Sequence, residues 1–137
     1  MVNSIDGHFR FLESALKARS YRQEVLGANI ANADTPNYKA KDFDFKSALT
    51  NALGNSSNGQ QLQLQTTNGA HFAGASETGF SGAELQYRVP KQPSIDGNTV
   101  EAEDEMARFT DNALQYQALL NFTTGKIKTL QQAMASQ

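Results

Sequence analysis

The sequence predicts a mainly α fold in which long N- and C-terminal helices pair as a coiled coil, joined by a small irregular, β-containing and partly flexible middle. Three observations predict it. Met106, Phe109, Ala113, Tyr116, Leu120, Thr123, Ile127, Leu130 and Met134 follow one another in alternating steps of three and four, and no proline falls after Pro93. That spacing is the heptad seam of one long helix. The N-terminal segment carries a looser version of the same period. Between them lie all three prolines and the most polar, glycine-rich stretch of the chain. The expected organisation is an N-terminal helix in residues 1–34, a variable middle in 35–99 with a flexible stretch at 54–82, and a C-terminal helix in 100–137.

The first helix is expected from about Ile5 to Asn32, with Asn3, Ser4 or Asp6 as its N-cap. Its seam is Phe9, Leu12, Leu16, Leu26 and Ile30, interrupted by Arg19 and Gln23. Those two are read either as a solvated break or as polar residues that fix register against a partner helix. The helix should stop before Pro36, because a residue preceding proline is pushed out of the helical region. Asn32 tolerates the left-handed conformation found at helix C-termini. Pro36-Asn37 then reads as the centre of a turn, proline setting φ and asparagine accepting a positive one.

Tyr38 to Asp42 is expected to be extended. Asp44 can cap a short helix with the apolar face Phe45, Ala48, Leu49, Ala52 and Leu53, ended by Gly54. Twelve of the 17 residues from 54 to 70 are Gly, Ser, Asn or Gln, too polar to supply a core. Leu62 and Leu64 alternate with glutamine in a possible brief strand. Leu85, Tyr87 and Val89 alternate with Gln86 and Arg88 in another, stopped by Pro90. Glu101, Glu103, Asp104 and Glu105 crowd the start of the last helix and Lys126 and Lys128 lie toward its end, both placements complementing the helix dipole. A helix over roughly 101–134 is about 50 Å long. Its narrow seam needs another helix to cover it, and the shorter, interrupted N-terminal seam leaves part of it for other subunits.

With 137 residues the chain has room for one domain, and its formal net charge of −2 includes no basic run that would recruit nucleic acid. It has no cysteine, so disulfides and thiolate metal sites are excluded. No stretch approaches the roughly 20 apolar residues of a membrane span, and the N-terminus does not read as a cleavable signal peptide. His8 and His71 sit in different segments, no serine lies in a G-x-S-x-G context and no glycine run matches a phosphate loop. The expectation is therefore no catalytic residue, no metal and no cofactor.

One motif carries more. Residues 28–40 read ANIANADTPNYKA, and Asn29, Asn32, Thr35, Pro36 and Tyr38 form an Asn-x-x-Asn-x-x-Thr-Pro-x-Tyr pattern. This resembles the signature that ends the N-terminal helix in the flagellar rod, hook and hook-associated protein family. The family often has glycine after the proline, where this chain has Asn37. Residues 87–122, from YRVP through QPSIDGNTV to LLNF, resemble the C-terminal region of a short proximal rod member. The resemblance covers roughly residues 8–45 and 85–135. It implies terminal helices that pair in a layer around a central channel, and export through the flagellar type III apparatus without a cleaved signal. It also implies a place in the basal-body rod where it crosses the periplasm. The implied partners are other rod proteins, copies of the chain itself and a rod-to-ring adaptor.

The expected function is a structural rod subunit that connects the inner-membrane ring to the distal rod, transmits torque and lines the export channel. Its assembly seam would be Phe9, Leu12, Leu16, Leu26 and Ile30 with Phe109, Tyr116, Leu120, Ile127, Leu130 and Met134. Arg19 and Gln23 are the candidate subunit contacts. The alternatives are another rod protein of the family or a secreted helical binding module.

Overall fold

The computed structural model describes residues 2–55, 80, 83–92 and 94–135, with the side chains of 2–4 and 55 left aside. Its elements in chain order are α1 (Val2–Ala31), β1 (Lys41–Asp42), α2 (Phe45–Asn55), β2 (Gln86–Tyr87) and α3 (Ala102–Ala135). The expected flexible stretch at 54–82 and the Leu62–Leu64 strand fall almost wholly outside the described residues.

The mainly α fold with long terminal helices is as the sequence predicts. α1 and α3 run antiparallel, their contacts passing from Asn29 against Glu105, through Arg19 against Asn112, to Phe9 beside Leu130. α1 is the central element, since α3, α2 and β1 all pack against it. Its buried apolar residues are Leu12, Ala15, Ala18, Val25 and Leu26, joined by Ala40, Phe43 and Ala48 from the segment that follows. The Phe43 ring stacks on Tyr21 with centroids 5.6 Å apart.

Element ends differ from expectation in small, explicable ways. α1 begins at Val2, so Asp6 lies inside the helix, where it pairs with Arg10 one turn on. Gly54 does not end α2, which continues to Asn55. The expected cap of α2 is present: Asp44 accepts the N–H groups of Lys46 and Ser47, both at 3.2 Å. Contacts from Ser47 and these N–H groups hold the Asp44 carboxyl below its ordinary range. α3 runs past Lys126 and Lys128 to Ala135, and its last turn holds no basic residue.

β1 and β2 pair antiparallel, Lys41 opposite Tyr87 and Asp42 opposite Gln86. The alternation in this strand points the opposite way from an ordinary half-buried strand. Tyr87 and Val89 are 71% and 85% exposed, while Arg88 turns inward. The reason is electrostatic, because two carboxylates wait for Arg88 inside.

Candidate assembly site

The end of α1 is built by its own asparagines. The Asn32 amide donates to the Ala28 carbonyl at 2.8 Å, and its Oδ1 accepts from the Thr35 hydroxyl at 3.2 Å. Tyr38 N–H closes back on the Thr35 carbonyl at 3.3 Å across Pro36-Asn37. Asn37 has φ 60°, the positive value that the third position of a type II turn requires. Among the described residues it is the one non-glycine with positive φ. The left-handed role thus falls to Asn37, and Asn32 does not take it.

The exposed carbonyls at this helix end are closed by a residue 60-odd positions away. Asn98, 5% exposed, points its amide at the carbonyls of Asn32 (3.0 Å), Ala33 (2.7 Å) and Thr35 (2.9 Å). These carbonyls lie just past Ala31, the last residue of α1, and those of Asn32 and Thr35 also accept the Thr35 and Tyr38 N–H groups, so the buried amide ties the whole turn together. Asn98 is itself fixed, its Oδ1 accepting from Val100 N–H at 2.7 Å. Ser94 to Gly97 form a second turn, the Gly97 N–H donating to the Ser94 carbonyl at 3.2 Å, and it touches the first directly: Asn37 N–H donates to the Asp96 carbonyl at 3.0 Å. A Cβ on Gly97, which has φ 73°, would lie 2.7 Å from Asn37 Oδ1. Glycine suits that conformation, and any larger residue there would have to displace the Asn37 side chain.

Asn29, fully buried, acts as a side-chain rung of a ladder. Its amide donates to the Lys41 carbonyl at 2.7 Å and its Oδ1 accepts the Lys41 N–H at 3.1 Å. The same oxygen receives the Tyr38 hydroxyl at 3.4 Å, and the amide also donates to Glu105 at 3.2 Å. One asparagine therefore ties α1 to the returning chain, to the turn and to α3.

Around it lies an ion network. Arg22 holds Asp42 with two parallel bonds, 3.1 Å and 2.9 Å, and Arg88 reaches the same carboxylate at 2.6 Å. The other arm of Arg88 pairs with Glu105, which is 1% exposed. Burial raises the Asp42 carboxyl, but the bonds and charge of Arg22, the Phe43 N–H and Arg88 together outweigh it and hold it below its ordinary value. Two guanidiniums facing two carboxylates make the cluster self-neutralising, the condition under which buried charges are tolerated. Among the described residues no buried side-chain nitrogen or oxygen lacks a partner.

Two turns further along α3, Asn112 is 1% exposed and forms a second polar layer. It donates to the Arg19 carbonyl at 2.9 Å and to Gln23 Oε1 at 2.6 Å, and accepts from Arg19 Nη1 at 3.3 Å. The Arg19 guanidinium also lies 3.9 Å over the Phe45 ring. Arg19 and Gln23, expected as candidate subunit contacts, are thus engaged within the chain, against its own C-terminal helix.

The structure brings most of the expected seam together. Leu12 and Leu26 are buried, Phe9, Leu16 and Ile30 half-buried, and so are Phe109, Tyr116, Leu120 and Leu130. Phe109 packs on Gly27. Ile127 and Met134 are exposed, at 42% and 73%, and so are Met106 and Ala113 of the heptad series, because Glu105 and Asn112, one position earlier, turn inward to their polar partners on α1 and the returning chain. The deepest α3 positions are Glu105 and Asn112, which are polar and which hydrophobic periodicity passes over. Arg22, Asp42, Arg88 and Asn98 were likewise not singled out. For Arg22, Glu105 and Asn112 the one sequence signal is a polar residue at helical spacing, whereas Asp42, Arg88 and Asn98 lie in strand and loop segments that no helical period marks.

Comparison with known proteins fits this geometry to a family. A family model described as flagella basal body rod protein matches residues 9–39, most of α1 and the turn that follows it. The chain is 43% identical over 136 residues to the flagellar basal body rod protein FlgB of Escherichia coli K12, covering 99% of both chains. It is 43% identical over 135 residues to FlgB of Aeromonas hydrophila, covering 98% of this chain and 97% of the relative. It is also 41% identical over 128 residues to FlgB of Salmonella typhimurium LT2, covering 93% of each.

Proposed function

Because this chain belongs to the FlgB family of flagellar basal body rod proteins, we propose that it is a structural subunit of the proximal rod, holding its helix pair in the rod wall and carrying load without catalysis. The carrying observation is the lock at the end of α1. Asn29, Asn98, Arg88 and Glu105 fasten the turn, the two-stranded sheet and both long helices into one unit. A rod that transmits torque needs subunits whose helices cannot swivel against their outer segment, and a satisfied polar network rigidifies such a junction.

In this reading residues 1–34 and 100–137 form the inner layer around the export channel. The Asn29–Tyr38 turn redirects the chain outward, and residues 35–99 form the outer segment. Partners are other rod proteins, copies of the chain and the rod-to-ring adaptor. Among the described residues no helix is long and apolar enough to cross a membrane. The subunit would cross the inner membrane through the flagellar type III apparatus and stand in the periplasmic part of the basal body. The seam positions that the helix pair leaves open, Ile127 and Met134 among them, are the surfaces offered to neighbours.

The test is cryo-electron imaging of basal bodies from a strain deleted for this gene, with the intact gene restored as control. Inner-membrane rings without a rod are the expected result. A normal rod and hook would overturn the assignment.

A further inference from the structure

The open end of the helix pair has a different chemistry from the locked end. Beyond Asn112, the charged side chains of α3 are Lys126 and Lys128 and nothing else. The facing half of α1 neutralises itself, Asp6 with Arg10 at 3.3 Å and Glu13 with Lys17 at 2.7 Å. Among the described residues no carboxylate pairs with either lysine. Between the helices lies an open cleft of about 360 Å³, lined by Ile5, His8, Phe9, Lys126, Thr129 and Leu130. Ile5 in its wall is 47% exposed, and Ile127 and Met134 in the same part of α3 are 42% and 73% exposed.

We infer that this cleft seats an acidic amphipathic helix of another subunit, its apolar side chains entering between Ile5, Phe9 and Leu130 and its carboxylates meeting Lys126 and Lys128. A groove between two antiparallel helices is shaped for a third helix, and the two lysines specify the sign of its flanks, Lys126 lying 5.4 Å over its own Phe122 ring but facing no carboxylate among the described residues. Pairing of two copies through this same surface is disfavoured, since two-fold symmetry would set lysines against lysines. A membrane surface fits less well. Lipid-binding segments gather about four to eight basic residues, and here there are two lysines at an open cleft.

The inference rests on the rod-subunit reading only for the source of the helix. Its test uses the full chain, isotope-labelled, titrated with two synthetic helical peptides. They share one leucine face and differ in carrying glutamates or lysines beside it. The glutamate peptide should shift the amides of Ile5, His8, Phe9, Thr129 and Leu130 saturably. Lys126→Glu with Lys128→Glu should weaken it by about tenfold or more and favour the lysine peptide instead. The neutral Lys126→Gln, Lys128→Gln pair should fall between, and helical content checks that each variant folds. Equal binding of the two peptides, shifts confined to other residues, or no binding would overturn the inference. So would phosphatidylglycerol vesicles that perturb the cleft when the peptides do not. If the deletion strain lacks rods but the peptides show no charge preference, the cleft assignment alone fails. If that strain builds normal rods, the rod-subunit reading fails whatever the peptides do.

Discussion

Asn98 shows how much one side chain can hold at a helix end. Its amide is the buried donor for three carbonyls at the end of α1. Asn98→Ala removes this donor, leaving the Asn32 and Thr35 carbonyls only the Thr35 and Tyr38 N–H groups, and stability should fall by about 1–3 kcal/mol, read from urea midpoints at constant m-value. Asn98→Asp keeps the shape but offers an acceptor to acceptors, and at neutral pH it should be at least as damaging. An aspartate variant as stable as the parent would show that shape, not donation, matters there. Asp42 gives a pH prediction. Its carboxyl is held below its ordinary value in the folded chain, despite burial, by Arg22, the Phe43 N–H and Arg88. Its contribution is therefore complete above the unfolded-state value of about 3.9 and is lost as pH falls through the lower folded value. Stability of the parent should drop below about pH 4, and Asp42→Asn should flatten that part of the profile while lowering stability at pH 7. An unchanged acid limb in the variant would exclude Asp42 as its source.

At the scale of elements, the α1–α3 pair is held by alternating apolar and polar layers. Glu105 and Asn112 occupy the deepest positions of α3, and Phe109 packs between them on Gly27. A polar residue inside a helical seam costs stability and fixes register, since a slip would bury it away from its partners. Asn112 meets Arg19 and Gln23, the two residues that interrupt the N-terminal seam. The interruption and the buried asparagine are therefore two halves of one layer. Gly27 is a point where the pair can be strengthened. A Cβ there would sit 3.8 Å from the Phe109 ring, an ordinary contact. Gly27→Ala should accordingly stabilise the chain by about 0.5–1 kcal/mol through helix propensity, seen as a raised Tm. A lowered Tm would mean that Phe109 cannot yield the space.

At the scale of the molecule, the two ends of the helix pair do different work. The end at Asn29 is closed by hydrogen bonds and ion pairs that join every ordered element except the body of α2. The far end is open, with Ile127 and Met134 uncovered. This is the asymmetry expected of a subunit completed by its neighbours, because long helices of narrow seam gain most of their stability from packing. Tyr116 lies half-buried midway between the two ends. Tyr116→Ala should reduce swimming in soft agar while cellular levels of the chain stay normal, since large aromatic anchors dominate subunit contacts. Undiminished swimming would place Tyr116 outside the assembly contacts.

The sequence by itself determined the helix periods, the stop at Pro36, the positive φ of Asn37, the Asp44 cap and the family motif. Each depends on residues within a few positions of one another, where backbone sterics and local hydrogen bonds decide. Only the tertiary structure decided why the motif asparagines matter. Asn29 works through Lys41 and Glu105, and the end of α1 is closed by Asn98. It also decided that Arg88 points inward while Tyr87 and Val89 face out, and that Glu105 belongs to a buried ion network as well as to a helix N-terminus. Hydrophobic pattern marks the deep positions of a helix only where they are apolar. Where the interior is charged, depth follows from which opposite charges the fold brings within reach, and those come from residues distant in sequence.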